Sequence, residues 1–182
     1  ARIQAAGFDG IYVDRIDVYY DIKDRYPDAR EKMIGFMREL ADTARERNKR
    51  FLVVAQNAED LLSDSGYRDA IDGIAKEDLL HGVDGTGKRN SAELVSWSVG
   101  QIQKLQRESK AAFAVEYLKD ANQAAAARTE LEKLGIVPVF APRALDGTDP
   151  FRPEAAVTAS SETETGTPEY GNRNCNGVWH KK

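Results

Sequence analysis

Several residue types are scarce in this chain of 182 residues, and each scarcity excludes a class of site. The only cysteine, Cys175, can form neither a disulfide within the chain nor a cysteine-based zinc site. The two histidines, His81 and His180, lie far apart in sequence, which disfavours a histidine-rich metal centre. No run approaches the roughly 20 apolar residues that a membrane helix needs. We therefore expect no metal, no organic cofactor and no membrane span.

Basic residues are also too few to indicate a nucleic-acid partner. The chain has 26 basic and 30 acidic residues, a net charge of −4, and no basic stripe with interleaved aromatic residues. A mildly acidic surface favours a cationic ligand instead. The apolar content of 41% and the charged content of 31% are those of an ordinary globular domain with a core.

Short apolar runs alternate with helix-like segments along the chain. Five runs predict buried strands, at residues 10–14, 51–57, 72–77, 111–116 and 136–141. Helical patterns predict helices between them, at residues 28–48, 58–70, 90–109 and 120–135. Alternation at this spacing predicts right-handed crossovers and a parallel sheet, and therefore an α/β fold.

Capping residues and loop composition refine these boundaries. Three pairs predict helix N-termini: Asp28 with Glu31, Asn90 with Glu93, and Asp120 with Gln123. We predict loops at residues 19–27 and 81–88. Residues 1–7 have the pattern of a final helical turn that ends at a glycine, so we expect the chain to be part of a longer protein. We predict one domain at residues 1–150 and a flexible tail at residues 151–182, which are rich in serine, threonine and glutamate.

The most informative feature of the sequence is a pair of carboxylates, Asp14 and Glu77. Each ends an apolar run headed by Asp-Gly, in the segments Phe8-Asp-Gly-Ile-Tyr-Val-Asp14 and Ile71-Asp-Gly-Ile-Ala-Lys-Glu77. Ligands of strand–helix repeats bind outside the carboxyl ends of the strands, so both acids can face one cleft. One acid that protonates a leaving group and one that assists attack are the minimum equipment of a glycosidase. Capping does not explain Asp14, because the next predicted helix starts well beyond it.

Further polar and aromatic residues near strand ends are candidates for binding sugar. They are Tyr12, Asp17, Asn57, Glu116, Tyr117 and Arg143. Glu116 could instead replace Glu77 in the chemical step, and Asn57 could instead satisfy a loop backbone. Strand alternation predicts that Lys76 and Glu77 point to opposite faces of the sheet. A partly dry cleft beside other acids would raise the pKa of Glu77, which would suit a general acid.

A glycine-rich segment at residues 82–89, Gly-Val-Asp-Gly-Thr-Gly-Lys-Arg, has the composition of a phosphate-binding loop. Arg89, however, follows Lys88 at the position where a serine or threonine should bind magnesium. We therefore favour a glycine-rich lid, and a phosphate-ligand α/β protein is the less favoured hypothesis.

Taken together, four segments resemble glycoside hydrolase family 114: residues 7–19, 71–82, 114–117 and 135–146, in the correct order. The resemblance implies part of a (β/α)8 TIM barrel, with the five predicted strands as its fourth to eighth. It implies cleavage of α-1,4-linked galactosamine polymers, the activity of an endo-α-1,4-polygalactosaminidase, by two carboxylates that fall on Asp14 and Glu77. Which of them is the acid stays open, as does the stereochemistry.

The same resemblance implies a polysaccharide partner, an amino-sugar polymer, and an extracellular or cell-surface location. The alternative function is a carbohydrate-binding barrel without turnover. The two differ in whether polysaccharide that binds is also cleaved.

Overall fold

A five-stranded parallel sheet organises the fold in the computed structural model, which describes residues 2–143. In chain order the described strands are β1 (Gly10–Val13), β2 (Leu52–Gln56), β3 (Gly73–Glu77), β4 (His81–Gly82), β5 (Gly85–Arg89), β6 (Ala111–Glu116) and β7 (Val137–Phe140). The sheet has the order β1-β2-β3-β6-β7 with parallel pairing throughout. The predicted tail, including Cys175 and His180, lies outside the described residues, so its boundary stays a prediction.

The helices cover this sheet. They are α1 (Arg2–Ala5), α2 (Tyr19–Ile22), α3 (Ala29–Arg47), α4 (Ser65–Ala70), α5 (Ala92–Gln106) and α6 (Ala121–Lys133), with 3-10 helices at Ile16–Val18 and Glu59–Ser63. Each of the three long helices buries one stripe, because apolar side chains at 3–4 spacing share a face. Those stripes pack with the buried strand residues into one core, which contains Met37, Val53, Ile74, Ile102 and Leu131.

The order of the strands decides where a site can form. Neighbouring strands of the sheet run in the same direction, so their carboxyl ends meet at one edge. Val13, near the end of β1, pairs with Ala55 of β2, and Glu77 at the end of β3 pairs with Val115 of β6. The side chains that follow these strands therefore emerge at the same edge, and the predicted parallel α/β arrangement is confirmed.

Two predicted loops are wrong. Residues 19–27 begin with α2, because Ile16 and Tyr19 are buried in the core and hold the chain in successive helical turns. Residues 81–88 form most of the antiparallel hairpin of β4 and β5 instead of a loop, and their role as a lid stays a prediction. This hairpin also departs from a phosphate loop, which would lead directly from a strand into a helix.

The predicted caps are partly confirmed. Asp120 accepts a hydrogen bond from the backbone N–H of Gln123 at 2.9 Å, as expected for the first residue before α6. Asp28 precedes α3, but its side chain forms an ion pair with Lys32 at 2.9 Å and no capping bond.

The N-cap of α5 is Ser91, whereas the sequence predicted Asn90. Ser91 Oγ accepts the N–H of Leu94 at 3.2 Å. The amide of Asn90 is already engaged, since its Nδ2 donates to the backbone oxygens of Asp78 at 2.7 Å and Leu79 at 3.0 Å. Asn90 therefore fastens the turn after β3 instead of beginning the helix.

Candidate active site

Asp14 and Glu77 line one cavity at the carboxyl edge of the sheet. Asp14 directly follows β1, Glu77 is the last residue of β3, and β2 lies between these two strands. The cavity has a volume of about 330 Å³, and its other lining residues are Arg15, Asp17, Tyr20, Asp21 and Asn57. We call this space the carboxylate cavity. The structure thus brings the two predicted catalytic residues together, with Asp17 and Asn57 beside them.

Tyr12 lies within electrostatic reach of both carboxylates. Burial raises the pKa of its hydroxyl, and the negative charges of Glu77 and Asp14 raise it further. Tyr12 therefore stays a neutral hydrogen-bond donor in the physiological range. Its position on β1, two residues before Asp14, is on the same face of the strand as that carboxylate.

Glu77 is held by two neighbouring side chains. Asn57 Nδ2 donates to Glu77 Oε2 at 3.0 Å, and the hydroxyl of Tyr117 donates to Glu77 Oε1. Asn57 Oδ1 also accepts the backbone N–H of Glu77 at 3.0 Å. Both polar atoms of the Asn57 side chain are therefore occupied by Glu77, and Asn57 orients this carboxylate as well as lining the cavity.

The expected rise in the pKa of Glu77 is wrong. Burial does raise this pKa and is the largest single influence on it. Hydrogen bonds from Tyr117, Asn57 and Gln56, together with the positive charge of Lys76, outweigh burial and lower the pKa overall. Glu77 is therefore an ionised carboxylate in the free protein near neutral pH.

Lys76 reaches the same edge of the sheet as Glu77. Its ammonium Nζ donates to the backbone oxygen of Glu77 at 2.7 Å and to Asn57 Oδ1 at 3.4 Å. It also forms an ion pair with Glu59 at 3.8 Å. The prediction that the two side chains point to opposite faces does not separate them here, because the long Lys76 side chain reaches a cavity that Glu77 also lines. Lys76 pairs with Glu59 and not with the Glu77 carboxylate, although its charge acts on the pKa of Glu77.

The backbone turns sharply after the strands that carry the site. Four non-glycine residues there have a positive φ: Arg15 at 59°, Asn57 at 57°, Ala58 at 56° and Asp78 at 51°. A non-glycine residue in this left-handed region costs roughly 1–2 kcal/mol. Such strain is found at functional sites whose surroundings hold it in place.

Glu116, a predicted sugar-binding residue, is not brought to the cavity. Its side chain is 0% exposed, and its two oxygens accept the backbone N–H groups of Leu80 at 2.7 Å and His81 at 3.1 Å. Burial raises the pKa of Glu116 to about 7, although the backbone N–H groups oppose the rise. Glu116 is thus an internal anchor for the turn after β3, which corrects both roles that the sequence suggested for it.

Tyr117 and Arg143 contact the carboxylates of Glu77 and Asp78 and do not line the carboxylate cavity. Tyr117 is buried, and the Arg143 guanidinium stacks over its ring with 4.4 Å between the guanidinium carbon and the ring centroid. Arg143 also binds both oxygens of Asp78, at 2.9 and 3.0 Å. These two predicted sugar-binding residues therefore contact Glu77 and Asp78 directly, and the lining of the carboxylate cavity is made of other residues of the described chain.

A second cavity adjoins the first and contains residues that sequence reasoning missed. They are Glu59, Asp60, Lys76, Val83 and Trp97. One sequence signal could have found Trp97: it does not belong to the apolar stripe of α5, whose buried positions include Val99, Ile102 and Leu105. A large aromatic residue off the buried stripe of a helix is a candidate for ligand contact.

The model of the glycoside-hydrolase family GH114 matches residues 1–157 of this chain. The chain belongs to family GH114. The predicted resemblance is therefore confirmed.

Two curated proteins are similar to this GH114 chain. An uncharacterized protein of Deinococcus radiodurans is 32% identical over 148 residues, which are 80% of this chain and 46% of that protein. An uncharacterized protein of Thermotoga maritima is 37% identical over 87 residues, 44% of this chain and 27% of that protein. The GH114 chain thus spans less than half the length of these relatives.

Solved structures share the fold. The glycoside hydrolase domain of PelA from Pseudomonas aeruginosa superposes with a TM-score of 0.64 at 18% identity, over 80% of this chain and 57% of that one. A variant of that domain, with one glutamate replaced by alanine, gives 0.64 at 17% over the same shares. The prediction of barrel-type α/β architecture is confirmed by this similarity. Among residues 2–143, no helix has the length and apolar character needed to cross a membrane.

Proposed function

We propose that the protein is a glycoside hydrolase that cleaves an α-1,4-linked galactosamine-type polysaccharide with Asp14 and Glu77. The observation that carries this proposal is that both carboxylates line a single cavity of about 330 Å³. Membership of family GH114 supports the same reaction class. A glycosidic bond held between the two side chains would have a carboxyl group on either side of it.

The arrangement fits the chemistry of glycoside cleavage. One carboxyl group protonates the departing glycosidic oxygen, and the other attacks the sugar carbon or activates a water. β1 and β3 are separated by one strand, so their backbones are about 10 Å apart. Side chains that lean inward from both strands leave room for one sugar ring at the point of cleavage.

The charge of the site favours an amino sugar. The two adjoining cavities are lined by seven acidic side chains, Asp14, Asp17, Asp21, Glu59, Asp60, Glu77 and Asp78, against two basic ones, Arg15 and Lys76. A site with this excess of negative charge attracts cations from solution. A galactosamine unit without an acetyl group carries one positive charge, so its polymer matches the site.

Asp17 is the best placed of these acids to bind an ammonium group. It lines both cavities, whereas Asp60 and Asp78 are already paired with Arg30 and Arg143. Within residues 2–143 the Asp17 carboxylate has no side-chain partner of its own. We therefore assign to it the recognition of the substrate amino group.

The release of reducing ends from α-1,4-linked galactosamine polymer tests the proposal. We expect the wild-type protein to release them and both Asp14→Asn and Glu77→Gln to lose at least about 10³-fold in kcat. The matched control is Asp42→Asn on the exposed face of α3, which should keep full activity. Polymer that binds to the wild type without release of reducing ends would instead establish the alternative, a carbohydrate-binding barrel without turnover.

An extracellular or cell-surface location is part of this proposal, because a galactosamine-type polysaccharide would be encountered outside the cytoplasm. Fractionation of cells that express the complete protein tests it. Recovery of the protein in the cytoplasmic fraction alone would contradict this location without affecting the chemistry.

A further inference from the structure

The second cavity, which we call the side cavity, adjoins the carboxylate cavity. It has a volume of about 300 Å³ and shares four lining residues with its neighbour: Asp17, Tyr20, Asn57 and Glu77. Its other walls come from the 3-10 helix after β2, the end of β3, the β4–β5 hairpin and α5. The side cavity therefore lies directly beside a ligand held between Asp14 and Glu77.

Two aromatic side chains are exposed at this cavity. Trp97 and Tyr20 are both 46% exposed, and Val83 adds a further exposed apolar surface. Large apolar groups in water are unfavourable, and aromatic rings with a polar edge are typical of ligand sites that are only partly apolar. Packing does not account for Trp97, because the neighbouring Ser98 and Val99 supply the buried contacts of α5.

Tyr20 is held in a defined orientation. Its ring stacks on Tyr19 with centroids 4.6 Å apart and 28° between the ring planes. Tyr19 is buried, and its hydroxyl donates to Asp60 Oδ1 at 2.5 Å. Lys23 Nζ also lies over the Tyr20 ring, 5.4 Å from its centroid, so the ring is held on the Tyr19 side and by Lys23, and its edge borders the two cavities.

The floor of the side cavity is polar and prearranged. Glu59 is buried, and its Oε1 accepts the hydroxyl of Ser98 at 2.7 Å and lies 3.8 Å from Lys76 Nζ. Within the described chain, the bonds to Glu59 all go to this one oxygen, so Oε2 is left to accept a hydrogen bond from a ligand. Polar and charged side chains make up most of the lining, and Trp97 and Val83 add apolar surface, so the cavity suits a ring that has both apolar faces and polar edges.

We infer that the side cavity binds a second amino-sugar unit of the same polymer, next to the unit at Asp14 and Glu77. Trp97 contacts a face of this second ring, the edge of Tyr20 borders it, and Glu59 and Asp17 accept hydrogen bonds from its hydroxyl or amino groups. This inference rests on the proposed function and extends it. A protein with this second site would bind oligomers that fill both cavities more tightly than a single sugar.

Binding measured without turnover tests this inference separately from catalysis. The Asp14→Asn variant is titrated calorimetrically with free galactosamine and with α-1,4-linked galactosamine oligomers of four and six units, alone and combined with Trp97→Ala. We expect Trp97→Ala to weaken the binding of the four- and six-unit oligomers by about tenfold. Binding of the single sugar should change by less than about twofold, since it can occupy the carboxylate cavity alone.

The matched control is Phe36→Ala, which removes another exposed aromatic residue, 53% exposed on α3 and absent from the lining of both cavities. Trp97→Leu keeps apolar volume without the aromatic face, and it should also lose affinity. Equal affinities with and without Trp97 for every oligomer length would overturn the inference. If the wild-type protein cleaves nothing, the proposed hydrolase fails, while a length-dependent loss at Trp97 would still establish the second sugar site.

Discussion

The hydroxyl of Tyr117 donates to Glu77 Oε1 across the boundary between two neighbouring strands of the sheet. The two residues are 40 positions apart in sequence and meet because β3 and β6 pair in parallel. Burial raises the pKa of Glu77, and this bond, with the one from Asn57, is among the contacts that lower it overall. The pKa of Glu77 is therefore lowered by side chains at two other strand ends.

Replacement of Tyr117 by Phe removes a donor to the charged form of Glu77. We expect the pKa of Glu77 to rise, because burial is then opposed by fewer hydrogen bonds. The limb of the pH–activity profile that reports Glu77 should move to higher pH. The position of this limb shows which form of Glu77 is active. If the limb is on the acidic side of the profile, Glu77 acts as the ionised carboxylate, and if it is on the alkaline side, Glu77 acts as the protonated acid.

The control for this profile is Tyr26→Phe, a change at an exposed tyrosine outside both the carboxylate cavity and the side cavity. Its profile should match that of the wild type. A Tyr117→Phe profile that is unshifted, or shifted to lower pH, would contradict the role given to the hydroxyl.

Two replacements at Asn57 distinguish the role of its side-chain amide from the energetic cost of its backbone conformation. Asn57→Gly and Asn57→Ala both remove the amide that orients Glu77, so both should lose most activity. Glycine adopts the φ of 57° freely, whereas alanine does not. We expect the glycine variant to be more stable by about 1 kcal/mol, as measured by denaturant unfolding. Equal stability of the two variants would mean that the strain at this position is negligible.

Asp17→Asn tests the recognition of the substrate amino group. Loss of a charged acceptor should weaken binding of galactosamine oligomers by about tenfold, and binding of N-acetylated oligomers much less. Asp21→Asn is the matched control, because Asp21 lines the same cavity but is exposed and paired with Arg15 at 3.5 Å. An equal loss for acetylated and free oligomers would show that Asp17 does not read the amino group.

Glu116 predicts a pH dependence of stability. Below the ordinary carboxyl pKa of 4.5, Glu116 is protonated in both the folded and the unfolded protein. Between that value and about 7 the unfolded chain releases its proton while the folded chain keeps it, so the free energy of unfolding falls as pH rises. Glu116→Gln should reduce this fall, measured by urea unfolding at pH 4.5 and pH 7.5.

The same variant should be less stable than the wild type at pH 7.5 by about 1–3 kcal/mol, because Gln cannot accept the N–H groups of both Leu80 and His81. Glu39→Gln, at an exposed position on α3, is the control and should leave both quantities unchanged. If the free energy of unfolding of Glu116→Gln and that of the wild type fall by the same amount across this pH range, the raised pKa assigned to Glu116 is wrong.

Some local signals predict the structure correctly, although Asp28 and Asn90 do not cap their helices as predicted. The strand at residues 111–116 and the cap at Asp120 agree with the structure, because apolar runs and capping side chains act within a few residues. The edge shared by Asp14 and Glu77 was also predictable, since parallel strands place their carboxyl ends together. The roles of these two residues in the proposed cleavage remain predictions.

The sequence by itself determined the alternation of strands and helices, because periodic apolar residues specify these elements. It also determined the family, because short motifs identify it. Only the tertiary structure decided which acids face the cavity and in which charge state. Glu77 and Glu116 both end apolar strands. The pKa of Glu77 is lowered and its side chain lines a cavity, whereas the pKa of Glu116 is raised and its side chain is buried against backbone N–H groups. The partners that separate them, Tyr117 and Asn57 for one and Leu80 and His81 for the other, lie 20 to 40 residues away in sequence. Contacts at such separation exist only after the sheet has brought the strand ends together.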